Sequence, residues 1–458
     1  MNIDKIDINN YNSSPSLENK VQLGEVQTPY HVAQMLLDML PPYIFENKNL
    51  KWFEPGAGKG NISIILYHML YKHLSSSFVD ESECKKHILK MITQVEINHT
   101  SCSYLKSVFH TENVIQNDFL QFDSGEKYDI VFGNPPFNSN GLKKVPTNSR
   151  LSKTKDGSTI WCDFVRKGLD LLCDDGYMCF IIPCIWMKPD KAGIYDLLTS
   201  YNIVKIRCFT NTETNALFYG EAQTPSVFMV VQKTINLSDT QTIDIFDRVN
   251  DKYIPFTLYK NMAIPVFSPG IINKIYRYTQ KVGCIEVDKS NMPHKHIELC
   301  DRNIGNYTYT NIKSCVIQDG CPKFDFLYSI KPCAFYNTPK IIMAHGMYGF
   351  PYVDYIGEYG IANRDKYVIV NRTHKDMDRL SKFLSTKSSL MFFETTKYRM
   401  KYLEKYIFSY IPDITKLKDF PSVITDDSIA EYFGFNELER KAIQKQFKTY
   451  GSFSLTEY

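Results

Sequence analysis

The sequence predicts an α/β fold, with a mostly parallel sheet over about the first half of the chain and a mixed α+β region after it. Three observations predict this. Short apolar runs of strand length alternate with helical stretches from about Gly24 to Lys233. A glycine-rich turn, Pro55-Gly56-Ala57-Gly58-Lys59-Gly60, joins the first of these runs to a helix. Beyond about residue 234 the alternation fades, and a chain of 458 residues exceeds the size at which one hydrophobic core keeps growing.

Taken in order, residues 1–22 are polar around Pro15 and read as a flexible arm, followed by a domain over 23–235. In that domain Leu50–Glu54 is the first strand, and Asn61–Leu74 is the helix behind the glycines. Met91–Ile97, the short Asn113–Gln116 and the apolar Tyr128–Phe132 supply the next strands. Phe164–Cys173 reads as a helix stopped by Asp174-Asp175-Gly176, and Tyr177–Ile182 as the strand after it. Val204–Phe209 and Val227–Gln232 are expected as late edge strands. A second domain is expected over 236–420. There Thr242–Phe246, Lys340–Ala344 and Lys366–Val370 suggest irregular β structure, and Gly346, Gly349, Gly357 and Gly360 mark turns. Leu380–Leu384 and Tyr398–Phe408 look helical. A small helical segment, 421–458, closes the chain with Asp426–Phe433, Gly434 and Asn436–Phe447, where Asn436 and Glu439 have capping-box spacing.

The 53 Lys+Arg against 50 Asp+Glu give a net charge of +3, which neither demands nor excludes a polyanionic partner. The start MNIDKIDINN has no basic or apolar leader region, and no apolar run reaches membrane-span length. A soluble intracellular protein without membrane contact is expected. Twelve scattered Cys, without paired CxxC motifs, read as reduced thiols. His294 and His296 lack partner ligands, so no metal is expected.

The chemistry gathers at strand ends. The glycines Gly56, Gly58 and Gly60 let a ligand approach the backbone, although alone they also fit a structural turn or a dinucleotide site. No Lys-Ser or Lys-Thr ends the run, so it is not the triphosphate loop. Glu96 ends the second strand, where a carboxylate can accept both hydroxyls of a ribose. Asp118 follows the third strand, placed to accept from an adenine amino group while Phe119 flanks the ring. The sharpest pattern is Asp129-Ile130-Val131-Phe132-Gly133-Asn134-Pro135-Pro136-Phe137, an apolar strand that ends in Asn and two prolines. Each proline disfavours the helical region for the residue before it, so Asn134 and Pro135 are held extended. The Asn134 side-chain oxygen and the Pro135 carbonyl can then face one amino group, and Phe137 can stack on the ring that carries it. The alternative is a Pro-Pro turn closing a strand over a buried Phe.

These residues resemble the amino-methylating S-adenosylmethionine-dependent methyltransferases, specifically adenine-N6 DNA methyltransferases of restriction–modification type. In that family the Asn-Pro-Pro-Phe/Tyr run is the catalytic motif, which implies that role for Asn134, Pro135, Pro136 and Phe137. The resemblance further implies a Rossmann-like catalytic domain whose cofactor, S-adenosyl-L-methionine, is held by Gly56, Gly58, Gly60, Glu54, Glu96, Asp118 and Phe119. Gly24-Glu25-Val26-Gln27-Thr28-Pro29 is similar to the segment packing over the methionine moiety, with Thr28 and Pro29 at the matching positions. That location matches the subgroup with an N-terminal catalytic and a C-terminal target-recognition domain. The likeness covers 24–233 well and 330–415 more loosely. One departure is the long interval from Glu54 to Glu96, with Tyr71–Lys90 as an insertion, which places Glu96 less firmly than Asp118.

What the resemblance implies is transfer to a flipped-out adenine of double-stranded DNA, by a protein of microbial or large-DNA-virus origin. A separately encoded restriction endonuclease of the same specificity is an expected partner, and the oligomeric state stays open. Lys143, Lys144, Arg150, Lys153 and Lys155 follow the catalytic run and read as a loop closing on the DNA backbone. Arg364, Lys366, Arg372, Lys375, Arg379 and Lys382 form a second basic run facing phosphates, whereas Lys397, Arg399, Lys401 and Lys405 equally fit an ordinary helix face. RNA, cytosine N4, a protein glutamine amide, or a catalytically silent DNA-binding homologue are the competing readings.

Overall fold

A computed structural model describes residues 3–8, 23–139, 158–318, 321–344, 351–364, 366–399, 403–446 and 453–454. The chain divides into two compact units: Met1–Phe246 with Pro255–Met262, and Asp247–Ile254 with Ala263–Tyr458.

The first unit is built on one nine-stranded sheet. Helix α1 (Tyr30–Leu37) precedes strand β1 (Trp52–Pro55), all four of whose residues are buried, as a central parallel strand requires. The glycine turn leads into α2 (Asn61–Leu74), which has the bounds expected from sequence. Next come α3 (Glu81–Met91), capped by the Asp80 carboxylate, and β2 (Ile92–Glu96). The run continues through α4 (His99–Phe109), β3 (Val114–Gln116) and β4 (Tyr128–Gly133). A two-strand ribbon of β5 (Asn138–Ser139) and β6 (Ser158–Thr159) follows, then α5 (Trp161–Leu171) and β7 (Leu172–Pro183). The remainder is α6 (Ile194–Thr199), β8 (Tyr201–Phe209), α7 (Asn211–Leu217), β9 (Ser226–Ile235), β10 (Thr240–Asp247) and β11 (Lys252–Tyr259).

The sheet order is β11-β10-β8-β9-β7-β4-β1-β2-β3. β3, β2, β1, β4 and β7 run parallel, and β9 lies antiparallel between β7 and β8. The α/β expectation of a largely parallel, Rossmann-like sheet therefore holds, and the ends of β1, β2 and β4 open on one edge. The order reverses at β1, whose neighbours β2 and β4 lead away in opposite directions, and such a switch point leaves a crevice beyond the carboxyl ends of the strands.

Several expectations are corrected. β8 and β9 are interior strands, and β11 and β3 form the edges. The segment Asp174-Asp175-Gly176 does not stop a helix: α5 ends at Leu171, and the three residues bulge within β7, where Asp175 has φ 62°. The first unit extends past residue 235, because β10 pairs with β8 and buries Ile243 and Ile245. The arm is docked at its start: Ile3 joins the core, and the Asp4 carboxylate accepts from the Tyr67 hydroxyl at 3.1 Å and pairs with Lys85 at 3.0 Å. Residues 9–22 lie outside the described residues.

The second unit is α+β. Its strands include Tyr309–Gln318 and Cys321–Ser329, paired as a long hairpin, and Lys340–Ala344 between Tyr352–Asp354 and Lys366–Ile369. Helices Pro269–Val282, His374–Leu384, Lys387–Glu394, Asp426–Phe433 and Glu437–Gln444 pack within it. The expected capping box forms, with Asn436 accepting from Glu439 N at 2.9 Å. Residues 421–458 are nevertheless no separate segment, since Glu439 is buried against Lys274 at 2.5 Å and Tyr278 donates to the Tyr432 carbonyl. The described residues of Tyr398–Phe408 form no α-helix. The Tyr398 hydroxyl bonds to Ile264 O at 2.6 Å and the Leu403 carbonyl accepts from Tyr367, leaving one 3-10 turn at Lys405–Ser409. Gly346, Gly349 and Lys401 lie outside the described residues.

Candidate functional site

Left-handed backbone shapes the turn after β1: Gly56, Gly58 and Gly60 have φ of 62°, 56° and 75°. A side chain would be strained at each, but the three do different things. Gly56 and Gly58 wall a cavity, and a Cβ on Gly58 would stand 3.1 Å from the Gln27 amide nitrogen. Gly60 faces away from the cavity, where a Cβ would stand 2.5 Å from Leu105. Its lack of a side chain lets the turn pack closely against α4.

The cavity has a volume of about 630 Å³, within the range of small-molecule sites. Glu96 sits one residue past the end of the β1–β2 register, and its carboxylate accepts from Gly58 N and Asn98 N, both at 2.7 Å. The long interval ahead of it is absorbed by α3, so the insertion does not displace it. Burial, with the Glu25 charge adding, lifts the Glu96 carboxyl to about 7 against its two N–H partners. Glu54, 2 % exposed, accepts from the Ser63 hydroxyl, and burial pushes its carboxyl up to about 8. Asp118 accepts from Leu120 N at 3.0 Å, and Phe119 packs on Phe53 and Phe164 along the same wall. Glu25 has one carboxylate oxygen buried without a hydrogen-bond partner.

Among the described residues, the cavity lining holds Glu25, Glu54, Glu96, Asp118 and Glu221 and no Lys, Arg or His. Such a wall offers phosphate no basic partner, and although burial keeps Glu54 and part of Glu96 protonated while the cavity is empty, a bound cation would favour their charged form.

The same cavity reaches the end of β4. Asn134, Pro135, Pro136 and Phe137 all line it, and Phe137 rests against the apolar core. The Asn134 amide nitrogen donates to Thr28 Oγ1 at 3.2 Å, and the Thr28 carbonyl accepts from Asn61 Nδ2 at 2.8 Å. Pro29 caps the start of α1, its carbonyl accepting from Ala33 N.

Sequence reasoning missed Glu25, Gln27, Asn117 and Phe164. It also missed the wall formed by α7, the turn after it and the start of β9, including Thr214, Phe218, Gln223 and Ser226. A signal for α7 was present, because Thr210 and Glu213 have capping-box spacing and form the box.

The basic residues divide. Lys143, Lys144, Arg150, Lys153 and Lys155 lie outside the described residues, although the β5–β6 ribbon brings the two ends of their segment together directly after Phe137. Arg372 is withdrawn as a phosphate contact, since its guanidinium is held by Asp413 at 2.7 Å. Lys366 is buried and Arg379 donates to the Phe420 carbonyl, whereas Arg364, Lys375 and Lys382 are exposed.

Among the described residues no group of His, Cys, Asp and Glu could hold a metal, and no helix is long and apolar enough to cross a membrane.

Residues 67–214 match the model of the family described as the Eco57I restriction-modification methylase, a stretch containing Glu96, Asp118 and Asn134–Phe137. The type II methyltransferase M.AccI of Acinetobacter calcoaceticus is 25% identical over 267 residues, covering 54% of this chain and 45% of that protein. The type II methyltransferase M.TthHB8I of Thermus thermophilus is 30% identical over 95 residues, covering 18% of this chain and 22% of that protein. The chain thus spans less than half the length of these curated relatives. Among solved structures, the type IIL restriction-modification enzyme MmeI in complex with DNA aligns over 86% of this chain and 69% of its own, at 12% identity and a TM-score of 0.46.

Proposed function

We propose that this chain is an S-adenosylmethionine-dependent methyltransferase of restriction–modification type that methylates the exocyclic N6 of an adenine in double-stranded DNA. One observation carries the reading: Asn134 and Pro135, with an acceptor oxygen each, line the same acid-bearing cavity at the end of β4. The resemblance to two type II methyltransferases and to the methylase family supports it.

The residues fit the cofactor. The glycines allow an extended ligand to lie on the backbone, Glu96 stands where a ribose diol is expected, and Asp118 and Phe119 where an adenine is. The unpaired Glu25 oxygen and the absence of bases from the described lining suit a ligand bearing a sulfonium and an ammonium. When bound, S-adenosylmethionine supplies an electrophilic methyl group on a cationic sulfur.

The chain's own residues act on the acceptor. An aromatic amino group is a weak nucleophile because its lone pair is delocalised into the ring. The Asn134 oxygen and the Pro135 carbonyl accept its two hydrogens, which favours positive charge on the nitrogen as the new bond forms. The gain is largest when charge develops, so it accelerates the step rather than tightening ground-state binding. Phe137 stacks on the extruded base, and the exposed Arg364 with the basic run after Phe137 meets phosphates.

The full chain incubated with methyl-labelled S-adenosylmethionine and duplex DNA, RNA or cell extract tests the reading. Label in duplex DNA is expected. Label confined to protein or RNA would overturn it.

A further inference from the structure

We infer that Arg207, on β8, is a phosphate contact for the DNA that carries the target base, held ready by two phenylalanine rings. This rests on the function proposed above. A guanidinium keeps its charge at any working pH and presents five N–H donors in one plane, so it suits a phosphate when nothing inside the fold takes it first.

Other arginines are taken within the fold. Arg166 is held by Asp163 and the Ala192 carbonyl, Arg372 by Asp413, and Arg379 by the Phe420 carbonyl. Arg207 differs. Its Cζ stands 4.1 Å from the centroid of the Phe246 ring and 5.5 Å from that of Phe209, and no oxygen among the described residues accepts from it. Of the two acids on β10, Asp244 is in register with Lys205, and Asp247 accepts from the backbone N–H groups of Val249, Asn250 and Gly270. Phe209 belongs to the core and Arg207 is half-buried, so the stack orients the guanidinium without enclosing it.

Its place on the sheet fits that use. Gly133 pairs with Phe180, Ile181 with Phe228, and Phe228 with Arg207, so Arg207 is level with Asn134 at the carboxyl edge. Three strand spacings of about 4.8 Å separate the two backbones by about 14 Å. The residues expected to hold the cofactor lie on the other side of β4, at the ends of β1, β2 and β3, which leaves the β7–β9–β8 side for the acceptor. Phosphates follow each strand of a duplex about every 3.4 Å of its axis, so a duplex lying along this edge with a base at Asn134 brings a phosphate to Arg207 about four steps away.

The test measures binding of the full chain to a mixed-sequence duplex as salt is varied, since phosphate contacts need no recognition sequence. Arg207→Met, which keeps an apolar stem against the rings, is expected to weaken binding about 10-fold. The slope of log affinity against log salt should become shallower by about 0.9. Arg207→Lys keeps the charge and loses the planar stack, so the wild-type slope and an affinity between the other two are expected. Affinity for S-adenosylmethionine by calorimetry should be unchanged in both variants. An unchanged salt slope in Arg207→Met, with or without a lower melting temperature, would overturn the inference alone. Failure of the wild type to bind duplex DNA, or binding of RNA in its place, would overturn the functional reading and the inference with it.

Discussion

The two units treat buried charge in opposite ways. In the second unit, three buried carboxylates are matched by cations within the fold. Lys340 and Asp354, 0% and 2% exposed at their side chains, pair at 2.5 Å, Arg372 holds Asp413 at 2.7 Å, and Lys274 holds Glu439 at 2.5 Å. Around the cavity of the first unit, Glu25, Glu54 and Glu96 gather with hydroxyl and N–H partners but no basic side chain in the described lining. Paired charges hold a scaffold in register. Carboxyl groups left without a cation are held wholly or partly protonated by burial, and a cationic ligand would bring out their charge.

That contrast can be broken or sharpened by substitution. The largest expected effect is in the scaffold. Lys340→Met leaves Asp354 buried without its partner, and destabilisation by about 3–5 kcal/mol is expected, read as a lowered denaturant midpoint. An unchanged midpoint would deny the pair its structural role. Next comes Asn134→Ala, expected to cut turnover about 10²- to 10³-fold while calorimetry finds cofactor affinity retained; lost affinity with intact turnover would reverse the assignment. Gly58→Ala forces a side chain into left-handed backbone at a cost of about 1–2 kcal/mol and crowds Gln27. Weaker cofactor binding with a preserved fold is the expected result.

The last substitution changes a slope with pH. Glu54 in the folded protein titrates near 8, above the ordinary carboxyl value of 4.5. Between those values the folded state binds more protons than the unfolded state, so this group's contribution is full below about 4.5 and is lost as pH rises through about 8. Glu96 behaves likewise up to about 7. Glu54→Gln should therefore flatten the fall in melting temperature of the ligand-free protein between pH 5 and 8. A steeper fall would show that the carboxylate is stabilised in the apo fold.

What was legible in the sequence was local or periodic. The helix Asn61–Leu74 follows from its apolar spacing and preceding glycines, and the Asn436–Glu439 box from three-residue spacing. Asn134–Phe137 could be placed at a strand end because an apolar run stops at two prolines. What was not legible depends on distant partners. Gly56 and Gly60 look alike in sequence and differ only in what faces them, a cavity for one and Leu105 for the other. Arg372 reads as a free cation until Asp413, 41 residues away, is placed beside it. The interior position of β9 requires an antiparallel insertion between β7 and β8 that no local pattern encodes. Thr28 was legible as a site residue, but its bond to Asn134 spans 106 residues.

The most direct test of the central claim is nucleoside analysis of DNA from cells expressing either the wild-type chain or Asn134→Ala. The account predicts N6-methyldeoxyadenosine with the wild type and its near absence with the variant. N4-methyldeoxycytidine in its place, or equal N6 methylation in both strains, would contradict it.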